Sequence, residues 1–419
     1  MLSIARLGQL AAVLSLLTMT ACSAPRATRY LLGNPENPYP QRKSPEIGDI
    51  VHLPTGTLVT RQQMLDVVTD ARVVYVGETH DNPAAHRLEL DALKALEERH
   101  PGKAALGMEM FVRSQQPVLD RWVAGDLDEK AFLKASRWYD NWKMDFAYYR
   151  DLLLYAKEKH IPVVALNAEK ELVQAVRSKP LEELTPEQKA QLPEMDFSDP
   201  YQRAQTESMF SGHDSHGKMA VEGFTRAQTL WDETMAESAV RYLTSPAGKE
   251  RHLLVVAGGN HVSYGFGIPR RVFRRLPTSY ATIGGRELAV QRAEKPVTME
   301  VVLPDFPNVP FDFLVNYAYE GLPKQGVLLG VMFEPDPKGR GLVVNTVVPD
   351  SNAARAGVQK GDLLLTMDNE QLKDSLDLIY AVKQKHVGDK STLKLERKGE
   401  VLDLEVLFKI GEAPKHGKP

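Results

Sequence analysis

Histidines and carboxylates recur at the ends of apolar runs in this chain. Gly77-Glu78-Thr79-His80 follows Val73-Val74-Tyr75-Val76, and Gly258-Gly259-Asn260-His261 follows Leu253-Leu254-Val255-Val256-Ala257. A third run, Ala104–Met108, delivers Glu109, and a fourth, Pro162–Leu166, delivers Asn167. A buried-strand signal that ends in Gly-x-x-His places the imidazole at the carboxyl edge of a parallel sheet, where open α/β folds bind ligands. Burying one such polar group alone is costly, so Glu78, His80, Glu109 and His261 in one cleft must satisfy each other, a metal or a ligand. Imidazole with carboxylate suits zinc, manganese or iron, and it also suits general acid–base work. His213 and His216 could share one face of a helix as further ligands, although Ser211-Gly212-His213-Asp214-Ser215-His216 reads as loop.

The elements that would hold these groups alternate. Between the strand runs, Ala85, Leu88, Ala92, Leu93 and Leu96 recur at helical spacing, as do Phe146, Tyr149, Leu152, Leu153 and Ala156. Asp81 or Asn82 can cap the first of these helices, with Pro83 in its first turn. Another helix is expected over about 227–242, and further apolar runs lie at Tyr280–Ile283 and Met299–Leu303. Strands alternating with helices predict an α/β fold, a mostly parallel sheet flanked by helices, over residues 51–319. The polar stretch 178–218 reads as a partly helical insertion over the sheet edge, a candidate lid.

The ends carry address information. Arg6, an apolar stretch from Leu10 to Leu17 and the sequence Leu17-Thr18-Met19-Thr20-Ala21-Cys22 read as a signal peptide over 1–21. A small residue before the only cysteine resembles a bacterial lipoprotein cleavage site, which implies lipidation at Cys22 and a membrane held through that anchor. Ser23 in the next position points to the outer membrane of a Gram-negative bacterium, with the protein facing the periplasm. Residues 22–50 are polar and Pro-rich and read as a tether, and 411–419 as a loose tail. One cysteine excludes an internal disulfide and a multi-thiolate metal site. A formal net charge of -3 gives no sign of a nucleic-acid partner.

Val74-Tyr75-Val76-Gly77-Glu78-Thr79-His80-Asp81-Asn82 and Leu106-Gly107-Met108-Glu109-Met110-Phe111 resemble the ChaN-like haem-binding lipoproteins. So do Gln228-x-x-Trp231-Asp232-Glu233-x-Met235-Ala236 and Gly258-Gly259-Asn260-His261-Val262, followed by Gly267-Ile268-Pro269-Arg270. The resemblance implies an iron-regulated outer-membrane lipoprotein in which a tyrosine ligates haem iron and haems stack between two protomers, hence a homodimer. Tyr139, Tyr148, Tyr149 and Tyr264 are candidates for that ligand, with Tyr264 and Tyr148 preferred. Arg113, Lys143 or Arg270 would pair with propionates. Trp138, Tyr139, Trp142, Phe146 and Tyr148 form an aromatic patch that could cover a porphyrin or simply pack helices. The paired Gly-x-x-His plan also resembles the wider group of Tiki-type metalloproteases and erythromycin esterases. In that reading Glu78, His80, Glu109 and His261 hold a divalent metal or activate water, and the protein is a metal-dependent hydrolase.

Residues 322–410 resemble a bacterial PDZ domain, β-rich with helices. The resemblance rests on Gly326-Val327-Leu328-Leu329-Gly330-Val331, on Val348-Pro349-Asp350-Ser351-Asn352-Ala353-Ala354-Arg355-Ala356-Gly357-Val358, and on Gly361-Asp362-Leu363-Leu364-Leu365. It implies that Leu328, Leu329, Gly330 and Val331 form the loop that binds a peptide or protein C-terminus, while the adjoining strand edge pairs with the peptide. A PDZ scaffold with an inert first domain is the third reading.

Overall fold

In a computed structural model of the protein, residues 44–211, 218–288, 303–322 and 327–410 are described. Cys22, His213, His216 and most of the run Met299–Leu303 lie outside them. Among the described residues no helix is long and apolar enough to cross a membrane. The chain divides into two compact units, one of residues 1–124 and 148–320, the other of residues 125–147 and 321–419. The sequence placed 125–147 in the first domain; it groups instead with the second unit.

The first unit is built on eight strands: β1 (Ile50–His52), β2 (Thr57–Val59), β3 (Val73–Glu78), β4 (Ala104–Val112), β5 (Val163–Asn167), β6 (His252–Gly258), β7 (Tyr280–Leu288) and β8 (Phe313–Ala318). Their order across the sheet is β2-β1-β8-β7-β3-β6-β4-β5. From β8 to β5 every neighbouring pair is parallel, and β1 and β2 close one side as an antiparallel hairpin. The four runs read as strands from the sequence are β3, β4, β5 and β6. Each is apolar on both faces because helices cover both faces.

The chain crosses from β3 to β4 in one direction and from β6 to β7 in the other. Right-handed crossovers therefore put the two sets of helices on opposite faces. The helix Lys218–Thr244, through Met235, Ala236, Ala239 and Leu243, packs with Ile268 and Val272 against Val73, Tyr75, Val255 and Ala257. On the other side the helix Pro83–Arg99 buries Ala85, Leu88, Ala92, Leu93 and Leu96. Its cap is Asn82, whose side chain accepts from the Ala84 amide, and Pro83 occupies the first turn. The reversal of direction falls between β3 and β6, which makes the crevice beyond their carboxyl ends the topological switch point.

The second unit carries a sheet of β9 (Val331–Pro335), β10 (Leu342–Val347), β11 (Leu363–Met367), β12 (Glu370–Gln371), β13 (Lys390–Arg397) and β14 (Glu400–Leu407). Its order is β14-β13-β11-β10-β9, with β12 beside β11, and all pairs are antiparallel. Leu342, Leu364, Leu393, Leu395, Val406 and Phe408 form its core with Leu378 and Val382 of the helix Ser375–Lys383. Segment 125–147 contributes cations to that helix. Lys134 lies 2.7 Å and Lys130 3.3 Å from the buried Asp377, and Lys383 lies 2.7 Å from Asp145.

Candidate functional site

Parallel pairing in register brings the two Gly-x-x-His motifs together. Gly77 of β3 stands opposite Ala257 of β6, and Glu78 opposite Gly258. On the far side of β6, Met108 of β4 pairs with Val256, so Glu109 follows at the same edge. The Gly258 amide donates to Glu109 Oε2 at 2.7 Å. A Cβ built on Gly258 would stand 3.1 Å from Cε1 and Nε2 of His80, so this glycine lets the imidazole lie against the strand end. Glu78, His80, Glu109 and His261 thus line one wall at the switch point.

Each member has a defined partner. His80 Nδ1 is 2.6 Å from Glu78 Oε1, and the Tyr149 hydroxyl donates to the same oxygen at 3.0 Å. His261 Nδ1 is 2.6 Å from Asp232 Oδ1 and 3.0 Å from Gln228 Nε2, while its Nε2 faces Glu109 Oε1 at 3.5 Å. Asp232 in turn accepts from Gln202 Nε2 at 2.9 Å, and Gln205 Nε2 donates to Ser263 Oγ at 2.8 Å. Both glutamines belong to the helix Pro200–Ser211, so the expected insertion does cover the His261 end of the site. Asn167 donates to the Glu109 carbonyl at 2.9 Å and fixes the strand end rather than joining the wall.

The electrostatics follow from this packing. Burial, and then the charge of Glu89, push Glu78 up to about 7, and burial pushes Glu89 up to about 8. Burial opposes the charged form of His80, but the bond to Glu78 and the charges of Glu78 and Glu109 outweigh it and raise His80 to about 9. His261 is also raised, because Glu109 and Asp232 outweigh its burial. His86 is lowered by burial despite its carboxylate neighbours. The wall therefore holds protons across the neutral range and can donate or accept them.

The other sequence candidates fall in distinct places. Tyr149 is fully buried and is committed to Glu78. Tyr148 is partly exposed, and its ring centroid lies 5.3 Å from that of His86. Tyr264 is 6 % exposed inside an aromatic group, 5.5 Å from Phe266 and 4.8 Å from Phe306. Its backbone is left-handed at φ 58, and its amide donates to the Pro310 carbonyl. Arg270 forms an ion pair with Asp199, and Arg113 is held by Glu237, Ser238 and the Thr234 carbonyl. Tyr139 belongs to the second unit, where its hydroxyl meets Lys383 at 3.2 Å.

In the second unit Leu329 is buried, Leu328 is 44 % exposed, and Gly330 is left-handed at φ 84. A Cβ at Gly330 would stand 2.2 Å from the Ser351 side chain, so the loop requires glycine on two counts. It leads into Val331 and β9, whose only sheet neighbour among the described residues is β10. The outer side of β9 is the edge that a peptide strand can extend.

His86 and Glu89 were missed as site residues. Among the described residues the donors close enough to share one metal ion are Glu78, His86 and Glu89; the wall of four is more spread out. The signal was present: both interrupt the apolar stripe of the helix Pro83–Arg99 at positions that helical spacing buries. Asp232 entered only as part of a motif, although Gln228 and Asp232, four apart on a helix, share one face.

Comparison with known proteins bears on this geometry. Residues 64–272 match the family described as haem-binding uptake, Tiki superfamily, ChaN, and residues 327–408 match the PDZ domain. A structure described as cofacial haem binding to ChaN of Campylobacter jejuni covers 67% of this chain and 99% of that one, with a TM-score of 0.50 at 14% identity; the likeness is one of fold. A probable periplasmic DegP-like serine endoprotease of Bartonella henselae is 37% identical over 65 residues, 15% of this chain and 13% of that protein. A putative zinc metalloprotease of the same organism is 39% identical over 70 residues, 17% of this chain and 19% of that protein. The chain thus spans less than a fifth of the length of these curated relatives.

Proposed function

We propose, on the premise that the chain belongs through residues 64–272 to the ChaN family of haem-binding uptake proteins and carries a PDZ domain over residues 327–408, that it is a lipid-anchored protein of haem or iron uptake. Haem sits at the carboxyl edge of the parallel sheet, and the PDZ domain takes the C-terminus of a peptide or protein partner. The observation that carries the reading is the convergence of both Gly-x-x-His motifs at the switch point of the first unit.

The residues at that edge fit the group. A tyrosine is the iron ligand that the family resemblance implies. Tyr148 meets the need best, because it is partly exposed beside the wall whereas Tyr149 and Tyr264 are buried. Phe197 and Tyr201, 42 % and 47 % exposed, offer apolar surface at the start of the helix that carries Gln202 and Gln205. Arg270, whose side chain is 42 % exposed, can turn from Asp199 to a propionate. When bound, haem supplies a redox-active iron; the chain's own residues orient it and shield one face from water.

Cys22 carries the lipid in this reading, residues 22–50 act as a tether, and the protein faces the periplasm from the outer membrane. Haem binding is tested by titrating the purified full chain with haemin and following the Soret band. A saturable band is expected, and its absence overturns the reading. The anchor is tested by incorporation of labelled palmitate, which Cys22→Ser should abolish; undiminished labelling of the variant removes it. A hydrolase reading is favoured by one observation, the Asp232–His261 pair that aims Nε2 at Glu109. It requires hydrolysis of a peptide or ester that His261→Ala eliminates, and an unchanged rate in that variant counts against it.

A further inference from the structure

Behind the wall lies a second set of donors that the haem reading leaves unused. Glu78 and Glu89 carry side chains with no exposed surface, and His86 is 5 % exposed. His86 Nδ1 lies 3.1 Å from Glu78 Oε2 and 3.2 Å from Glu89 Oε2. Glu78 Oε2 and Glu89 Oε1 are both buried without a hydrogen-bond partner. Two carboxylates buried this close together must share a proton or hold a positive charge between them.

We propose that Glu78, His86 and Glu89 form a binding site for one divalent first-row transition-metal ion. Three features of the geometry support it. The first is spacing. Each of the three residues offers a donor atom within 4.8 Å of the other two. A tetrahedral ion about 2.0–2.1 Å from its nitrogen and oxygen ligands sets those ligands roughly 3.3 Å apart, close to the separations found around His86.

The second is the arrangement of the outer partners. A ligating histidine normally donates its other ring N–H to a carbonyl or carboxylate, which fixes the tautomer. His86 Nε2 lies 3.2 Å from the His80 carbonyl and has that partner. Its Nδ1 lone pair is thereby turned towards the two carboxylates. Glu78 shows the same division of labour: Oε1 takes both His80 Nδ1 and the Tyr149 hydroxyl, and Oε2 is left for the ion.

The third is donor chemistry and access. One imidazole and two carboxylates balance the charge of a divalent ion and suit zinc, manganese or iron. His80, whose side chain is 39% exposed, stands between Glu78 and solvent and marks the way in. The site shares Glu78 with the wall but uses neither Glu109 nor His261.

The test uses the full chain in its haem-free form, so it stands apart from the haem reading. The protein is stripped with chelator, then titrated with Zn2+, Co2+ and Cu2+. One ion per chain is expected, with visible ligand-field absorption from Co2+. Glu89→Gln and His86→Asn should each weaken binding at least about 100-fold, more than the loss of an outer partner costs. Glu109→Gln should retain full stoichiometry. Electron spin echo measurements on the Cu2+ form of the wild type need no variant and should show a single imidazole nitrogen. Absence of stoichiometric binding, two coordinated imidazoles, retention of the ion by a folded Glu89→Gln protein, or its loss in Glu109→Gln would each overturn the assignment.

Discussion

Replacing Asp232 by Asn probes a buried bond at the His261 end of the wall. The Asp232 side chain is 1% exposed and that of His261 10%. The carboxylate accepts on both oxygens, from His261 at 2.6 Å and from Gln202 at 2.9 Å. An amide offers one acceptor and one donor group, so one of the two neighbours must meet a donor. Leaving a buried partner unsatisfied costs about 1–3 kcal/mol, and the lost hydrogen bond was to a charged group. The imidazole can avoid the clash by shifting its proton from Nδ1 to Nε2, which turns the nitrogen facing Glu109 from acceptor to donor. The sign of the pH effect is fixed. His261 is raised in the folded protein, so its contribution is fully present below the unfolded value near 6.5 and fades as pH rises through the raised value. The stability gap between wild type and Asp232→Asn should therefore be widest in mild acid and narrow in alkali. Urea unfolding at several pH values gives the gap, and NMR titration of the His261 ring gives the accompanying downward shift in its pKa. An unchanged ring titration with stability within about 0.5 kcal/mol of wild type, the scatter of neutral surface changes, would refute the reasoning.

Two further outcomes are expected. Gly267→Ala places a Cβ 2.2 Å from the His261 carbonyl oxygen, a backbone atom that cannot swing aside. It should cost about 2–3 kcal/mol in urea unfolding and shift the His261 ring resonances; a variant as stable as wild type refutes the close approach. In the second unit the buried Asp362 is gripped by Arg397 through two bonds of 2.7 Å. Burial raises its pKa, but Arg397 and the Gln359 amide outweigh that and hold it below 3.8. Its contribution is present above 3.8 and is lost as pH falls through the lowered folded value. Asp362→Asn should cost about 2–3 kcal/mol at pH 7 and remove part of the acid sensitivity of the PDZ unit, as read by melting curves across pH.

The strands that carry the site were legible because they are apolar on both faces and end in glycine. That the two histidine motifs meet in one cleft was legible too; that β3 and β6 are direct neighbours was not. β3 and β6 lie far apart in sequence, and only the crossover rules together with the observed order make them neighbours. β1, β2 and β8 escaped notice because three-residue strands and the mixed run Phe313–Ala318 lack a clear period. The cap at Asn82 was among the two residues expected. Segment 125–147 reads as part of the first domain by position alone; its pairing with the helix Ser375–Lys383 depends on Lys130 and Lys134, whose partner Asp377 lies far away in sequence. His86 and Glu89 belong to no strand-end motif, yet Glu89 continues the stripe of Ala85, Ala92 and Leu96. A carboxylate on an apolar stripe is itself the sign of a buried site.

The measurement that bears most directly on the account is the resonance Raman spectrum of the ferric haem complex of the full chain, with Tyr148→Phe and Tyr264→Phe beside it. Tyrosinate modes should appear in the wild type, vanish in Tyr148→Phe and persist in Tyr264→Phe. A haem spectrum that is identical in wild type and Tyr148→Phe would contradict the placement of haem at this edge of the sheet.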